Sequence, residues 1–208
     1  MILRCSVTTP PATTAYDLAA AKAHARITHS AEDSVVTLIA NAAQDVLGDY
    51  LGLSWISAGF TWTPETMIAA RDPRSDFWYQ TYPDGARNYP AVRLPYGPVT
   101  AITSIKYKDQ AGVLQTWGAS NYQLDTRLGA VLPAPGAVWP SSAFGYVNPY
   151  EFVFTAGYAD RNAIPARLTL ALHQLIGYWC DNREPFGSFT LQDVPLGLFN
   201  LIDEFKRG

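Results

Sequence analysis

The residues with the most reactive side chains are a histidine and a cysteine on one predicted helix, His173 and Cys180. A thiol beside an imidazole can act as a nucleophile that is activated by a base. The two residues are seven positions apart, which on a helix is two turns, or ~10 Å along the axis. An activating hydrogen bond needs a separation of about 3 Å. The spacing therefore argues against catalysis and favours a packed helix face.

Motifs for other kinds of chemistry do not occur in this sequence. His24 and His29 have no carboxylate or cysteine at metal-ligand spacing, so no metal site is predicted. There is no glycine-rich phosphate loop, nucleophile elbow or HExxH helix. Asp72, Asp76 and Asp84 fall in a segment with Pro and Gly, which is typical of a solvated loop. We expect no enzymatic activity, no cofactor and no metal.

Three helices are predicted, and they carry His24, His173 and Cys180. Thr14 with Asp17 and Ser30 with Asp33 have the spacing of capping arrangements, which predicts helices over residues 16–26 and 31–51, the second ending at Gly52. A third helix begins at Pro165 and ends at residues 182–184, before Pro185. Apolar residues that recur at helical spacing should form one shared core: Val35, Leu38, Ile39, Val46, Leu168, Leu172, Leu175 and Trp179.

The segment between the second and third helices has the composition of β-structure, rich in Tyr, Trp, Val, Thr, Pro and Gly. Strands are predicted over residues 92–94, 102–108, 113–117, 122–125, 129–132 and 150–155, with a hairpin turn at 109–112. The predicted fold class is α+β: a helical core of two N-terminal helices and one C-terminal helix, with an inserted antiparallel β region and a C-terminal tail. We expect a single domain over residues 1–208, divided into the helical core at 12–55 and 163–184, the β-rich insertion at 56–158, and the tail at 185–208.

Composition limits the classes of partner. Charged residues make up 16% of the chain, against ~25% in soluble domains, which indicates a surface partly covered by neighbouring subunits. The alternative is a monomer with a surface of Ser, Thr, Asn and Gln. The net charge of −3 argues against a protein that grips nucleic acid through phosphates. We expect no signal peptide or membrane span, and free thiols at Cys5 and Cys180 in a reducing cytoplasm.

One segment interleaves aromatic rings with arginines, a composition typical of recognition surfaces. We interpret it as a candidate interface loop over residues 71–90, with two alternatives: a loop folded over its own core, or an aromatic platform for sugars. The candidate residues are Arg71, Arg74, Phe77, Trp78, Tyr79, Tyr82, Arg87 and Tyr89.

The tail beyond Pro185 is strongly apolar and needs a surface to cover it, either on its own subunit or on a partner. We predict docking on a partner, with a short amphipathic helix over residues 198–205. The candidate docking residues are Phe186, Phe189, Leu191, Val194, Leu196, Leu198, Phe199, Leu201, Ile202 and Phe205. Asn182, Arg183 and Glu184 are predicted to be structural, with the Arg183 guanidinium fixing where the tail leaves the helix.

Several short segments, in a fixed order, resemble one known family. They are DLAAAKAHARI at 17–27 followed by Glu32 and Asp33, RLPYGPV at 93–99 leading into ITSIKY at 102–107, YQLD at 122–125, FTAGY at 154–158, and the helix over 164–184. In these segments the chain resembles the head-tail connector (adaptor) proteins of long-tailed double-stranded DNA phages and related gene transfer agents.

The resemblance implies a structural virion protein that forms a closed ring of about twelve copies. The ring would lie between the portal protein and the stopper or proximal tail protein, with its tail docked on the portal. DNA would pass through the channel without sequence-specific binding. The protein would reside in the virion, and in the host cytoplasm during assembly. Alternatives are a tail-completion or other virion structural protein, which should be mainly β, and a binding module that uses the loop 71–90.

Overall fold

The computed structural model describes residues 5–64, 77–81, 88–140, 147–182 and 201–206, and for 77–81 and 88–90 it describes the backbone alone. The chain divides into two units. The β unit consists of Met1–Pro11 and Ala58–Gly157, and the helical unit of Ala12–Ser57 and Tyr158–Gly208. Each unit is therefore built from two separate segments of the chain. The described residues form three α-helices and antiparallel sheets, which confirms the predicted α+β class.

The described part of the β unit forms two antiparallel sheets. One has five strands in the order β1-β2-β9-β5-β6, and the other has four in the order β3-β4-β8-β7. The strands are β1 (Cys5–Thr9), β2 (Ala58–Trp62), β3 (Phe77–Thr81), β4 (Asn88–Arg93), β5 (Val99–Lys108), β6 (Leu114–Trp117), β7 (Tyr122–Asp125), β8 (Ala130–Pro133) and β9 (Tyr150–Ala156).

The core of the β unit lies between its two sheets. Alternate residues of β9 are buried, among them Phe152 and Phe154, which follows from the two-residue period of a strand with one face in a core. Ile105 of β5 belongs to the same buried cluster, and so do Val92 and Val131 of the four-stranded sheet. Since residues of both sheets share this cluster, the sheets pack face to face.

The predicted hairpin turn joins β5 to β6. The Asp109 carboxylate accepts hydrogen bonds from the backbone N–H groups of Ala111 and Val113 and from the side chain of Gln115, each at 2.9 Å. Gly112 has a φ of 79°, which a residue with a side chain adopts only at a cost. These hydrogen bonds, that of Gln115 foremost, hold the pKa of Asp109 below its ordinary value of 3.8. The turn is thus fixed by its own sequence.

The helical unit contains α1 (Leu18–His24), α2 (Asp33–Leu51) and α3 (Ala166–Asp181). Gly52 ends α2 as predicted, with a left-handed φ of 63° and its N–H donated to the carbonyl of Asp49. Pro165 precedes the first residue of α3, where its missing N–H has no effect on the helix.

The capping arrangement predicted at Thr14 forms differently. Asp17 is itself the cap of α1, and its carboxylate accepts a hydrogen bond of 3.0 Å from the N–H of Ala20. The Thr14 hydroxyl instead donates to the carbonyl of Tyr16 at 2.9 Å. Thr14 therefore closes the loop before the helix, and the acid satisfies the helix end.

The capping arrangement predicted at Ser30 does not form either. α2 begins after Glu32, whose side chain makes no cap hydrogen bond. Asp33 lies in the first turn, where a carboxylate is stabilised by the helix dipole. Its carboxylate pairs with Lys22 of α1, so the acid links two helices.

The core of the helical unit uses a face of α2 in which small side chains alternate with larger ones. Leu168, Leu172 and Leu175 of α3 are buried there, as predicted. The buried residues of α2 are Val36, Ala40, Ala43, Leu47, Gly48 and Leu51. Small residues on one helix let the larger side chains of the next one approach and fill the space between the backbones.

The predicted core was wrong for three residues of α2. Val35, Leu38 and Val46 are 41%, 70% and 52% exposed. Ile39 and Trp179 are partly buried against the core. α2 has apolar residues on two neighbouring faces, and the prediction chose the face that the structure leaves exposed, whereas the helix buries the face with Val36, Ala40 and Ala43.

Three strands were not predicted. β1 and β2 pair with each other, and β2 also pairs with β9. Their sequences, CSVTT and AGFTW, are short and include Gly and Ser, residues that weaken a strand signal. β3 lies in the segment interpreted as a loop and pairs with β4.

The Leu172→Ala variant should lower the free energy of unfolding by about 2–5 kcal/mol, since it leaves a cavity in the helical core. The matched control is Leu114→Ala, because Leu114 is exposed on β6; it should change the free energy by about 0.5 kcal/mol or less. Denaturant titrations followed by circular dichroism measure both. Equal effects of the two substitutions would contradict the core described above.

Candidate functional site

The last described segment, residues 201–206, packs on the helical unit of its own chain. Ile202 is fully buried in the helical core, and Leu201 and Phe205 are partly buried against it. These three residues were predicted to dock on a partner. The structure places them against the helical core of their own subunit, where burial of the aliphatic side chain of Ile202 stabilises the contact.

Polar contacts hold this segment, here called the C-terminal clamp (residues 201–206), on two helices. The hydroxyl of Tyr50 on α2 donates to the Asp203 carboxylate at 3.4 Å. Lys206 lies over the Tyr50 ring, 4.1 Å from its centre. Glu204 forms an exposed ion pair with Arg167 of α3. Solvent screens such surface contacts, so buried Ile202 contributes most of the attachment.

The other predicted docking residues lie outside the described residues, and their role stays a prediction. They are Phe186, Phe189, Leu191, Val194, Leu196, Leu198 and Phe199. Asn182 is described: its side chain donates to the carbonyl of Tyr178 at 2.8 Å and so caps the end of α3. Arg183 and Glu184 lie outside the described residues.

The aromatic segment is partly a hairpin. Phe77, Trp78 and Tyr79 belong to β3, and Tyr89 belongs to β4, where it pairs with Gln80. Of these four residues the structure describes the backbone alone. Arg71, Arg74, Tyr82 and Arg87 lie outside the described residues. The structure therefore changes the backbone assignment from loop to strand, and the interface role stays a prediction.

The sequence suggested a comparison of His173 with Cys180, whereas the structure shows a ring contact between His173 and His24. His173 of α3 lies beside His24 of α1, with their ring centres 5.9 Å apart. Gly177 permits this approach, because a Cβ there would lie 3.3 Å from Cδ2 of His24. Burial lowers the pKa of His173 below its ordinary value of 6.5, His24 lowers it further, and Asp17 opposes the shift. A neutral imidazole here packs two helices together.

The two thiols show no sign of activation. Neither Cys5 nor Cys180 forms a disulfide, as expected. Burial raises the pKa of the Cys5 thiol to about 12, so it stays protonated at neutral pH. Cys180 is buried in the helical core. Within the described residues, no three His, Cys, Asp or Glu side chains are grouped as metal ligands would be. No described helix combines the length and apolarity that a membrane span requires.

A surface that the sequence assigned to the core is the most prominent exposed apolar feature of the described part of the helical unit. Val35, Leu38, Ala42 and Val46 follow one another at intervals of three and four residues along α2, and all are exposed. We call these four residues the outer stripe. Its length along the helix is ~17 Å. The signal in the sequence was the second apolar face of α2.

Comparison with solved structures gives likenesses over nearly the whole chain. A chain of the virion of a native gene transfer agent particle is 24% identical, with a TM-score of 0.69 over 99% of this chain and 95% of that one. A chain from the neck of an empty particle, computed with C6 symmetry, is 23% identical with a TM-score of 0.69, over 97% and 94%. A chain from the neck of the native particle, computed with C12 symmetry, is 23% identical with a TM-score of 0.68, over 99% and 95%.

The chain has the fold of these particle chains. The resemblance to gene transfer agents seen in the sequence is thus confirmed at the level of the fold. No protein-family model matches the chain, and no curated protein does.

The Ile202→Ala variant should lower the free energy of unfolding by about 2–5 kcal/mol, because it removes a fully buried side chain. Glu204→Gln, in the same segment, breaks only an exposed ion pair and should cost about 1 kcal/mol or less. Thermal and denaturant unfolding distinguish the two. Unchanged stability of the Ile202→Ala variant would show that the clamp does not belong to the helical core.

Stability should depend on pH through His173. Its pKa in the folded chain is below the unfolded value of 6.5, so the unfolded state binds more protons when the solution is acidified. This contribution is fully present above pH 6.5 and is lost as the pH falls through the folded pKa. His173→Gln should flatten the curve of stability against pH from 7 to 5, and His29→Gln, on an exposed loop, should not. Parallel curves for the wild-type and His173→Gln chains would contradict this.

Proposed function

We propose that this chain is a structural subunit of the neck of a virus-like, DNA-containing particle, and not an enzyme. In this proposal it is a head-tail connector that forms a closed ring of about twelve copies between the portal and the proximal tail. It is cytoplasmic in the producing cell until it is built into the particle.

The likeness over nearly the full length of three particle chains carries this proposal. A shared small motif would have covered only part of each chain. Here the likeness covers both units, each of which is built from two separate segments of the chain. Two of the similar chains come from necks computed with C6 and C12 symmetry, which supports a cyclic arrangement. Within a cyclic ring each copy contacts its neighbours through two different surfaces.

The charge of the chain agrees with a channel for DNA. The chain has 15 Lys and Arg against 18 Asp and Glu, a net charge of −3. A ring multiplies any charge by its number of copies, so a basic lining would bind the phosphates of passing DNA strongly. A slightly acidic subunit supplies no such hold, and DNA can slide through.

The apolar residues between the end of α3 and the C-terminal clamp supply the proposed portal contact. Residues 186–199 include seven of the predicted docking residues. Both ends of this segment are attached to the helical unit, through Asn182 on one side and Ile202 on the other. A segment attached at both ends loses less conformational entropy on docking than a free terminus would.

Location within the particle tests the proposal. Particles purified from the producing organism are labelled with antibodies raised against this chain and viewed by electron microscopy. Label should lie at the junction of capsid and tail. Label along the tail or over the capsid would overturn the proposed function.

Portal binding is measured in the same study by mass photometry of the chain mixed with a purified portal ring. The wild-type chain should add a complete set of copies to the portal. A double substitution, Phe186→Ser with Phe189→Ser, should abolish the addition, and Leu114→Ser on β6 should not. Undiminished portal binding by the double variant would overturn the docking role of this segment.

A further inference from the structure

We propose that the outer stripe of α2 binds the exposed face of α3 on an adjacent copy of this chain, and that this contact closes the ring. The inference rests on the proposed function and deepens it by naming the two surfaces. The face of α3 consists of Leu170, which is 42% exposed, with Arg167 and Gln174 beside it.

The outer stripe has the composition of a protein contact. It presents Leu38 at 70% exposure, flanked by Val35 and Val46, with no charged residue among its four members. An uncharged aliphatic surface offers nothing to phosphates, so its partner is a protein surface and not DNA. The free energy of leaving it in water is unfavourable and favours association.

A cyclic ring needs a second surface, different from the first, on every copy. Leu170 is the other large aliphatic residue that the described part of the helical unit exposes. α2 and α3 turn their buried stripes toward one core, so their outer faces point away from each other. Two surfaces on opposite sides of a subunit bind two different neighbours. Copies therefore associate head to tail and do not form a two-fold symmetric dimer.

The charges beside the two surfaces have opposite signs. Asp45 and Asp49 are exposed on α2 next to the outer stripe. Arg167 is exposed one turn from Leu170, and its partner in its own chain is Glu204, in an ion pair open to solvent. Such a pair exchanges partners at little cost. Opposite charges at the rim orient two surfaces whose centres are apolar.

Both surfaces belong to the same helical unit. Their relative direction is therefore fixed by one core, whose members include Leu172 and Ile202. A fixed direction sets one angle between successive copies, which a ring requires in order to close.

The test measures association with three single variants and one mixture. Sedimentation and mass photometry of the wild-type chain, up to its highest soluble concentration, should show a closed oligomer. Leu38→Asp and Leu170→Asp should each weaken self-association by at least about tenfold, because a carboxylate in an apolar contact loses its hydration. Leu114→Asp, a control on a similarly exposed leucine of β6, should assemble like the wild-type.

An equimolar mixture of the two α-helical variants gives the sharpest result. Each variant keeps one intact surface, so the intact stripe of the Leu170→Asp chain can bind the intact α3 face of the Leu38→Asp chain. The mixture should therefore form a heterodimer that cannot grow further. A mixture that stays monomeric overturns the pairing of these two surfaces.

Other outcomes overturn the inference in distinguishable ways. If the wild-type and the Leu38→Asp chains both form rings, the stripe is not the contact, and the proposed function stands. If Leu38→Asp lowers the melting temperature of the dilute monomer, the chain's own residues cover the stripe. If the wild-type chain stays monomeric at every concentration, the inference fails, and the antibody label in particles decides the proposed function separately.

Discussion

How closely α2 approaches α3 determines the structure of the helical unit. Ala40 and Ala43 keep the buried face of α2 shallow, and the leucines of α3 fill the space that this leaves. Because Val36, Ala40 and Ala43 are turned inward, Val35, Leu38 and Ala42 are turned outward. The packing of the helical core and the exposure of the outer stripe therefore have the same cause.

The same packing attaches the end of the described chain. Ile202 is buried in the core that α2 and α3 form, and Asn182 caps the C-terminal end of α3. The residues between these two points are therefore joined at both ends to positions on the helical unit.

The sequence was informative where a local rule decides the structure. Gly52, Pro165 and the Asp109 turn gave the helix ends and a hairpin correctly, because each depends on backbone geometry over a few residues. The sequence did not decide which apolar face of α2 is buried. Val35 and Val36 are neighbours of the same type, and only the position of α3 determines that Val36 is buried. Strands β1 and β2 were missed because each is only five residues long and β2 contains Ala and Gly, which are uncommon in strands. Of the candidate site, the docking role of residues 186–199 stays a prediction, and the placement of Ile202 required the tertiary structure.

The division of the chain between the two units also sets an order of folding during synthesis. The last strand of the β unit ends at Ala156, whereas the helical core requires Ile202. Domains fold as their residues leave the ribosome, so the β unit can be complete while α2 still waits for its partner. During that interval both faces of α2 are exposed, and only the arrival of α3 decides which one remains outside. The face of α2 that forms the helical core is therefore apolar and uncovered until α3 has been made, and this is the interval in which a nascent chain is most prone to aggregate.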